Sequence, residues 1–138
     1  MLLVLDTSVI AKWFVEENNS DIALQIRKEF HENLHEISIP DLLLYELSNA
    51  LRYSNFTPDV ITKAIDSLLD MNLSIVVPSR NLISEATKLA YKFNITIYDA
   101  IYLALSNESN GIFVTADDKL YKKVEKNRNC KLLSKFYE

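Results

Sequence analysis

Residues 2–6 read LLVLD, an apolar run that ends at a carboxylate. Four further short runs rich in apolar residues follow it, at 37–39, 73–77, 112–115 and 131–133. Between these runs lie longer stretches with the period of amphipathic helices. The alternation predicts an α/β fold, with a central parallel sheet of about five strands and helices on both faces.

The composition indicates one globular domain over residues 1–138. The chain is 49% hydrophobic and 25% charged, which is enough to bury a core. Its net charge is -4, from 15 basic and 19 acidic residues. That balance argues against a protein that coats nucleic acid by charge alone, so any contact with nucleic acid must be local.

Single occurrences of glycine and cysteine exclude several kinds of site. Gly111 is the only glycine, whereas phosphate-cradling loops and dinucleotide fingerprints need several, so we expect no nucleotide cofactor. Cys130 is the only cysteine, so neither an internal disulfide nor a cysteine-rich zinc site is expected. The apolar run at 2–5 is too short for a signal-peptide core or a membrane span, and we expect a cytoplasmic protein with no membrane contact.

Two carboxylates follow predicted strands. Asp6 comes directly after the first strand, and Asp117 comes two residues after Thr115. Because parallel strands end at the same edge of a sheet, where α/β proteins bind ligands, both acids should lie at that edge. Alternatively, each is the N-cap of the next helix.

Two more carboxylates lie in predicted helices. Glu46 stands on or beside the apolar stripe of a helix over residues 41–52, where a lone charge is costly unless it is neutralised or reaches solvent. Asp99 begins a strongly apolar helix. Thr96 and Asp99 also fit a capping box, so a purely structural role stays open for Asp99.

Together, the four acids predict a metal site. If Asp6, Glu46, Asp99 and Asp117 converge, their mutual repulsion requires a counter-charge. Oxygen ligands select hard cations, so Mg²⁺ or Mn²⁺ is expected, and such a site can hydrolyse a phosphodiester bond. Ser8, Thr115 and Asp118 are candidates for orienting ligands or waters around it, or are ordinary cap residues.

The segments that carry these acids resemble a PIN domain, and within it the VapC-type toxins of toxin-antitoxin pairs. They are LLVLDTSVI with Asp6, LLLYELSNAL with Glu46, ITIYDAIYLALS with Asp99 and FVTADDKL with Asp117. The resemblance implies the strand order 3-2-1-4-5 and an Mg²⁺- or Mn²⁺-dependent endoribonuclease whose four acids bind metal and catalyse. It also implies homodimers and a small cognate antitoxin that covers the site. Hydrolysis is expected to leave a 5′-phosphate.

Other patterns compete with this interpretation. His31, Glu32 and His35 spell the His-Glu-x-x-His pattern of zinc peptidases, but the following residues predict a frayed helix end rather than a buried site. A haloacid dehalogenase needs an acid where Ser8 stands, and a receiver domain needs one where Pro78 and Ser79 follow the third strand. A non-catalytic PIN-fold interaction module, with acids that only cap helices, is the principal alternative.

A basic segment follows Asp117. Lys119, Lys122, Lys123 and Lys126 are predicted to share one helical face and could guide an RNA backbone towards the metal. An ordinary solvated face at a helix C-terminus explains them equally well. Tyr102, among other aromatic residues, could stack on a base or pack against an antitoxin, or belong to the core.

Overall fold

A five-stranded parallel sheet forms the centre of the protein in the computed structural model, which describes residues 1–138. The strand order is β3-β2-β1-β4-β5, which confirms the predicted fold class and topology. The strands are β1 (Leu2–Leu5), β2 (Glu36–Pro40), β3 (Ser74–Val76), β4 (Ile112–Thr115) and β5 (Cys130–Leu132). The fifth strand begins and ends one residue earlier than predicted.

Seven α-helices connect or follow the strands. They are α1 (Thr7–Ile10), α2 (Ser20–His31), α3 (Leu42–Tyr53), α4 (Pro58–Leu69), α5 (Arg80–Phe93), α6 (Ile97–Ser109) and α7 (Asp118–Val124). Local caps fix several of the starts: the side chains of Thr57 and Ser79 accept amide hydrogen bonds at the beginnings of α4 and α5. No helix is both long and apolar enough to cross a membrane.

The core covers both faces of the central strands. Leu3, Val4 and Leu5 are all fully buried, and successive strand residues point to opposite faces, so β1 is covered on each side. Helix α6 packs on β1, β2, β4 and α5, and every residue of 100–106 is buried. The first turn of α6 is thereby held beside the central strands.

Asparagines occupy all of the left-handed backbone positions. The seven residues with positive φ are Asn19, Asn33, Asn55, Asn72, Asn94, Asn110 and Asn129. Asn94 and Asn110 directly follow α5 and α6, at positions where a left-handed residue ends the helix and glycine is the usual choice. Asparagine tolerates this conformation better than most residues, so a chain with a single glycine can still make these turns.

The His-Glu-x-x-His segment is not helical along its length. Helix α2 ends at His31, Asn33 has a φ of 63°, and β2 begins at Glu36. His35 instead contacts Glu29 Oε2 through Nε2 at 2.7 Å. The two histidines therefore do not share a helical face as a zinc peptidase requires.

Candidate active site

The site lies where the strand order changes direction. β1 pairs with β2 on one side and β4 on the other, and Leu5 is in register with Val114. The Asp6 amide donates to Val114 O at 3.3 Å, so the first acid is tied to the end of β4. Helix α1 starts immediately after it. This carboxyl edge of the sheet is where the sequence predicted the chemistry.

Asp6 is a buried carboxylate with an elevated pKa. The residue is 6% exposed, and Ser8 Oγ donates to its Oδ1. The pKa of Asp6 is raised to about 7: burial is the largest cause, the charge of Asp99 also raises the pKa, and the hydroxyls of Ser8 and Thr115 lower it. Asp6 stands at the N-cap of α1, but its side chain accepts no capping hydrogen bond. Capping therefore does not explain this carboxylate.

Asp99 lies in the electrostatic field of the other three acids. It is half-buried on the first turn of α6. Burial raises its pKa, as do the charges of Glu46 and Asp117, while Lys123 lowers it. The Asp99 amide donates to Thr96 Oγ1 at 3.0 Å, but no return bond runs from the Thr96 amide to the Asp99 carboxylate. Half of the predicted capping box is present, because the backbone amide of Thr96 does not bind the carboxylate; the Thr96 hydroxyl, however, lowers the pKa of Asp99.

Asp117 does cap a helix. Its Oδ1 accepts from the amides of Lys119 at 3.0 Å and Leu120 at 3.1 Å, at the start of α7. Its own amide donates to Thr115 Oγ1 at 3.1 Å. The capping interpretation is therefore correct for Asp117, although Oδ2 has no hydrogen bond. One oxygen of this exposed carboxylate remains free for a ligand.

Glu46 is held by two hydroxyls. Its Oε1 accepts from Tyr102 Oη at 2.6 Å and from Thr7 Oγ1 at 3.0 Å, and the two hydroxyl oxygens are 3.0 Å apart. Burial and the hydrogen bond to Glu46 raise the pKa of Tyr102 far above its usual range, so Tyr102 stays a donor at neutral pH. Sequence reasoning missed Thr7 entirely. Tyr102 is 1% exposed, so the suggested roles in base stacking and antitoxin contact are wrong.

The candidate orienting residues divide into two groups. Ser8 contacts Asp6 and accepts from the Ala116 amide at 2.9 Å, and Thr115 lies 3.4 Å from the Ser8 hydroxyl. These hydroxyls join the start of α1 to the end of β4 around Asp6. Asp118 is exposed in the first turn of α7, and its side chain makes no hydrogen bond or ion pair. Nothing in its contacts gives Asp118 the predicted orienting role.

The basic segment only partly forms the predicted face. Lys119 and Lys123 line a depression of about 390 Å³ together with Asp99 and Asp117, and Lys122 is exposed nearby on α7. Lys126 does not share their helical face, because α7 ends at Val124. Asn127 then joins the turn to α6 through hydrogen bonds with Asn107.

The donor set fits a hard cation. No ion pair within 4.0 Å includes any of the four acids, although the charge of Lys123 acts on Asp99 from a greater distance. No three acidic, histidine or cysteine side chains are gathered closely enough to hold an ion by themselves. Mg²⁺ commonly keeps several waters and takes one or two protein carboxylates directly, which suits a depression that Asp99 and Asp117 line. Direct ligation by all four acids stays a prediction.

Comparisons with known proteins agree with the geometry. A family model described as PIN domain matches residues 3–126. Ribonuclease VapC3 of Pyrobaculum aerophilum is 32% identical over 128 residues, covering 89% of this chain and 95% of that relative.

Solved structures share the fold at low identity. VapBC2 from Rickettsia felis, solved with a DNA fragment from its promoter, has a TM-score of 0.73 and 18% identity, covering 96% of this chain and 98% of that one. The Mycobacterium tuberculosis VapC20 toxin, described as cleaving the sarcin-ricin loop, has a TM-score of 0.68 and 13% identity, covering 87% of this chain and 93% of that one.

Proposed function

The chain belongs to the PIN domain family, and on that premise we propose that it is an Mg²⁺- or Mn²⁺-dependent endoribonuclease, the toxin of a toxin-antitoxin pair. The observation that carries the proposal is the charge repulsion of Asp99 with Asp6, Glu46 and Asp117, while no Lys or Arg forms an ion pair within 4.0 Å of these four acids. The likeness to a ribonuclease over nearly the whole chain supports the choice of RNA as substrate.

The acids divide into two roles in the proposed reaction. Asp6, Asp99 and Asp117 would hold the ion, and Glu46 would be a further ligand or orient the attacking water. When bound, the ion supplies counter-charge and makes water a better nucleophile near neutral pH. Ser8 and Thr115 hold Asp6 at the sheet edge. Water attacks phosphorus and loses a proton, the bond from phosphorus to the 3′ oxygen breaks, and that oxygen takes up a proton, which leaves a 5′-phosphate and a 3′-hydroxyl.

The proposal includes partners and a cellular location. A small antitoxin covers the site, and the enzyme is a cytoplasmic homodimer. Structures of toxin-antitoxin complexes among the relatives support the antitoxin. Exposed aromatic side chains supply apolar area for such contacts: Tyr45 is 69% exposed, Tyr91 85% and Tyr98 63%.

The experiment is RNA cleavage by purified protein freed of any partner. A labelled RNA should be cut with Mg²⁺ or Mn²⁺ and left intact with EDTA. The new 5′ ends should carry phosphates, so a ligase that requires a 5′-phosphate should join them without prior phosphorylation. Asp6→Asn should abolish cleavage. The matched control is Asp66→Asn, which neutralises an exposed acid of α4 outside the site and should cut normally. Cleavage that persists in Asp6→Asn, or a wild type inactive with both ions, would contradict the proposal.

A non-catalytic interaction module is the second candidate, and the capping bonds of Asp117 favour it. The same assay separates the two. A module predicts a wild type that cuts no RNA with either ion, whereas the nuclease predicts cleavage that EDTA stops.

A further inference from the structure

Three hydrogen-bonding side chains meet beside the proposed metal site. Thr7, Glu46 and Tyr102 come from α1, α3 and α6, and all three contacts between their oxygens are 3.0 Å or shorter. Thr7 directly follows Asp6, and Tyr102 lies three residues after Asp99 on the same face of α6. These three side chains, called the triangle below, therefore connect the elements that carry three of the four acids.

The protons of the triangle restrict the orientation of Glu46. Thr7 and Tyr102 each have one hydroxyl proton, so two protons serve three contacts. The shortest contact, 2.6 Å, is Tyr102 to Glu46, and the Thr7 proton can go to Glu46 or to Tyr102. Both hydroxyls approach Oε1, and Oε2 receives no hydrogen bond. One oxygen of Glu46 is thus held while the other is left available.

We propose that Tyr102, assisted by Thr7, is a positioning residue that fixes Glu46 Oε1 so that Oε2 faces the metal and its attacking water. The inference rests on the proposed nuclease function and deepens it. Groups that orient a ligand from outside the coordination sphere commonly change metal affinity or activity by about 10- to 100-fold when removed. Tyr102 is fully enclosed and touches no substrate, so it acts only through Glu46.

The test replaces single hydroxyls. Tyr102→Phe removes the donor and keeps the ring, and Tyr137→Phe is its matched control, because Tyr137 Oη also donates to a carboxylate, Glu29 Oε2 at 2.8 Å, away from the site. We expect Tyr102→Phe to weaken Mn²⁺ binding, measured by calorimetry, and to lower kcat, each by about tenfold or more, with KM for RNA unchanged. Tyr137→Phe should change none of the three. Thr7→Val should have a smaller effect in the same direction, and Thr7→Ser should restore wild-type values.

A double-mutant cycle separates positioning from simple support of the fold. In a Glu46→Ala background, Tyr102→Phe should cause no further loss of Mn²⁺ affinity or kcat, because its target is gone. Equal losses in both backgrounds, or wild-type Mn²⁺ affinity and kcat in Tyr102→Phe, would overturn the inference. A wild type that binds Mn²⁺ but cuts no RNA would refute the nuclease function alone, and the Mn²⁺ cycle would still decide the role of Tyr102.

Discussion

The carboxylate of Asp99 raises the pKa of Asp6, although one residue follows the first strand and the other begins the sixth helix. Their proximity arises because α6 packs directly on β1. The fold thus brings like charges together at a buried position, which costs stability unless a cation or protons compensate.

The pH dependence of stability should reveal the ionisation of Asp6. Its pKa is about 7 in the folded protein against 3.8 for a solvent-exposed Asp, as in the unfolded chain, so between these pH values the folded state binds one proton more than the unfolded state. Without divalent ions, stability should therefore fall as pH rises from about 4 to about 7, and Asp6→Asn should remove this slope. A shift of about three units corresponds to about 4 kcal/mol at pH 8. Chemical denaturation across that pH range measures it.

The matched comparison is Asp66→Asn, which should keep the wild-type slope since Asp66 is exposed on α4. Addition of Mn²⁺ at pH 8 should raise the melting temperature of wild type and leave Asp6→Asn nearly unchanged. If the stability of wild type and of Asp6→Asn changed in parallel with pH, the pKa of Asp6 would not be raised in the folded protein.

Capping and metal binding by Asp117 can be separated by substitution. Asn also caps helices well, so Asp117→Asn should keep the free energy of unfolding close to wild type. Asp117→Ala removes the bonds to Lys119 and Leu120 and should cost about 1 kcal/mol. Both variants should lose Mn²⁺ affinity and RNA cleavage. If Asp117→Asn cleaved RNA like wild type, the residue would be a cap and nothing more.

Lys119 and Lys123 should attract the RNA backbone. They line the same depression as Asp99 and Asp117, whereas Lys122 and Lys126 do not line it. Replacing Lys119 and Lys123 by Gln should raise KM for RNA. The slope of log binding constant against log salt concentration should become less steep by about 0.7 for each lost phosphate contact. The pair Lys122→Gln and Lys126→Gln removes the same charge and is the control. Equal effects from the two pairs would contradict the prediction, because the lysines would then act through overall positive charge and not through their place in the depression.

Asn55 should be intolerant of alanine for backbone reasons. Its φ is 64°, a region that costs most residues with a Cβ about 1 kcal/mol or more, but costs Asn less because its side chain can hydrogen-bond locally. Asn55→Ala should therefore destabilise by that amount, and Asn55→Gly should not. Asn49→Ala, in the exposed face of α3, should be neutral or stabilising because alanine is the better helix former. Thermal unfolding of the three variants decides the point.

Sequence reasoning predicted the fold well where burial leaves a continuous pattern. β1 and β4 have the predicted bounds because strands covered on both faces are unbroken apolar runs. The end of α7 was harder to predict, since hydrogen bonds between Asn127 and Asn107, distant in the chain, help place the turn that follows it. That is why Lys126 was wrongly assigned to a helical face.

The sequence predicted the acids of the candidate site and placed Ser8 and Thr115 near them, but it did not predict the contacts of Thr7 with Tyr102 and Glu46. Charge, order and neighbouring elements identify Asp6, Glu46, Asp99 and Asp117, but no local pattern shows which capping alternative applies. Asp117 caps and Asp6 does not, although both occupy N-cap positions. The roles of Thr7 and Tyr102 depend on contacts between three helices, and the available signals were their positions one residue after Asp6 and three residues after Asp99.

The central claim is that these acids form one divalent-cation site, and crystals soaked with Mn²⁺ test it most directly through anomalous scattering. We predict an anomalous peak at the carboxyl edge of β1 and β4, within about 2.0–2.3 Å of at least one oxygen of Asp6 or Asp99, and its loss in crystals of Asp6→Asn. An anomalous map with no peak near these carboxylates at saturating Mn²⁺, or an unchanged peak in Asp6→Asn, would contradict the account.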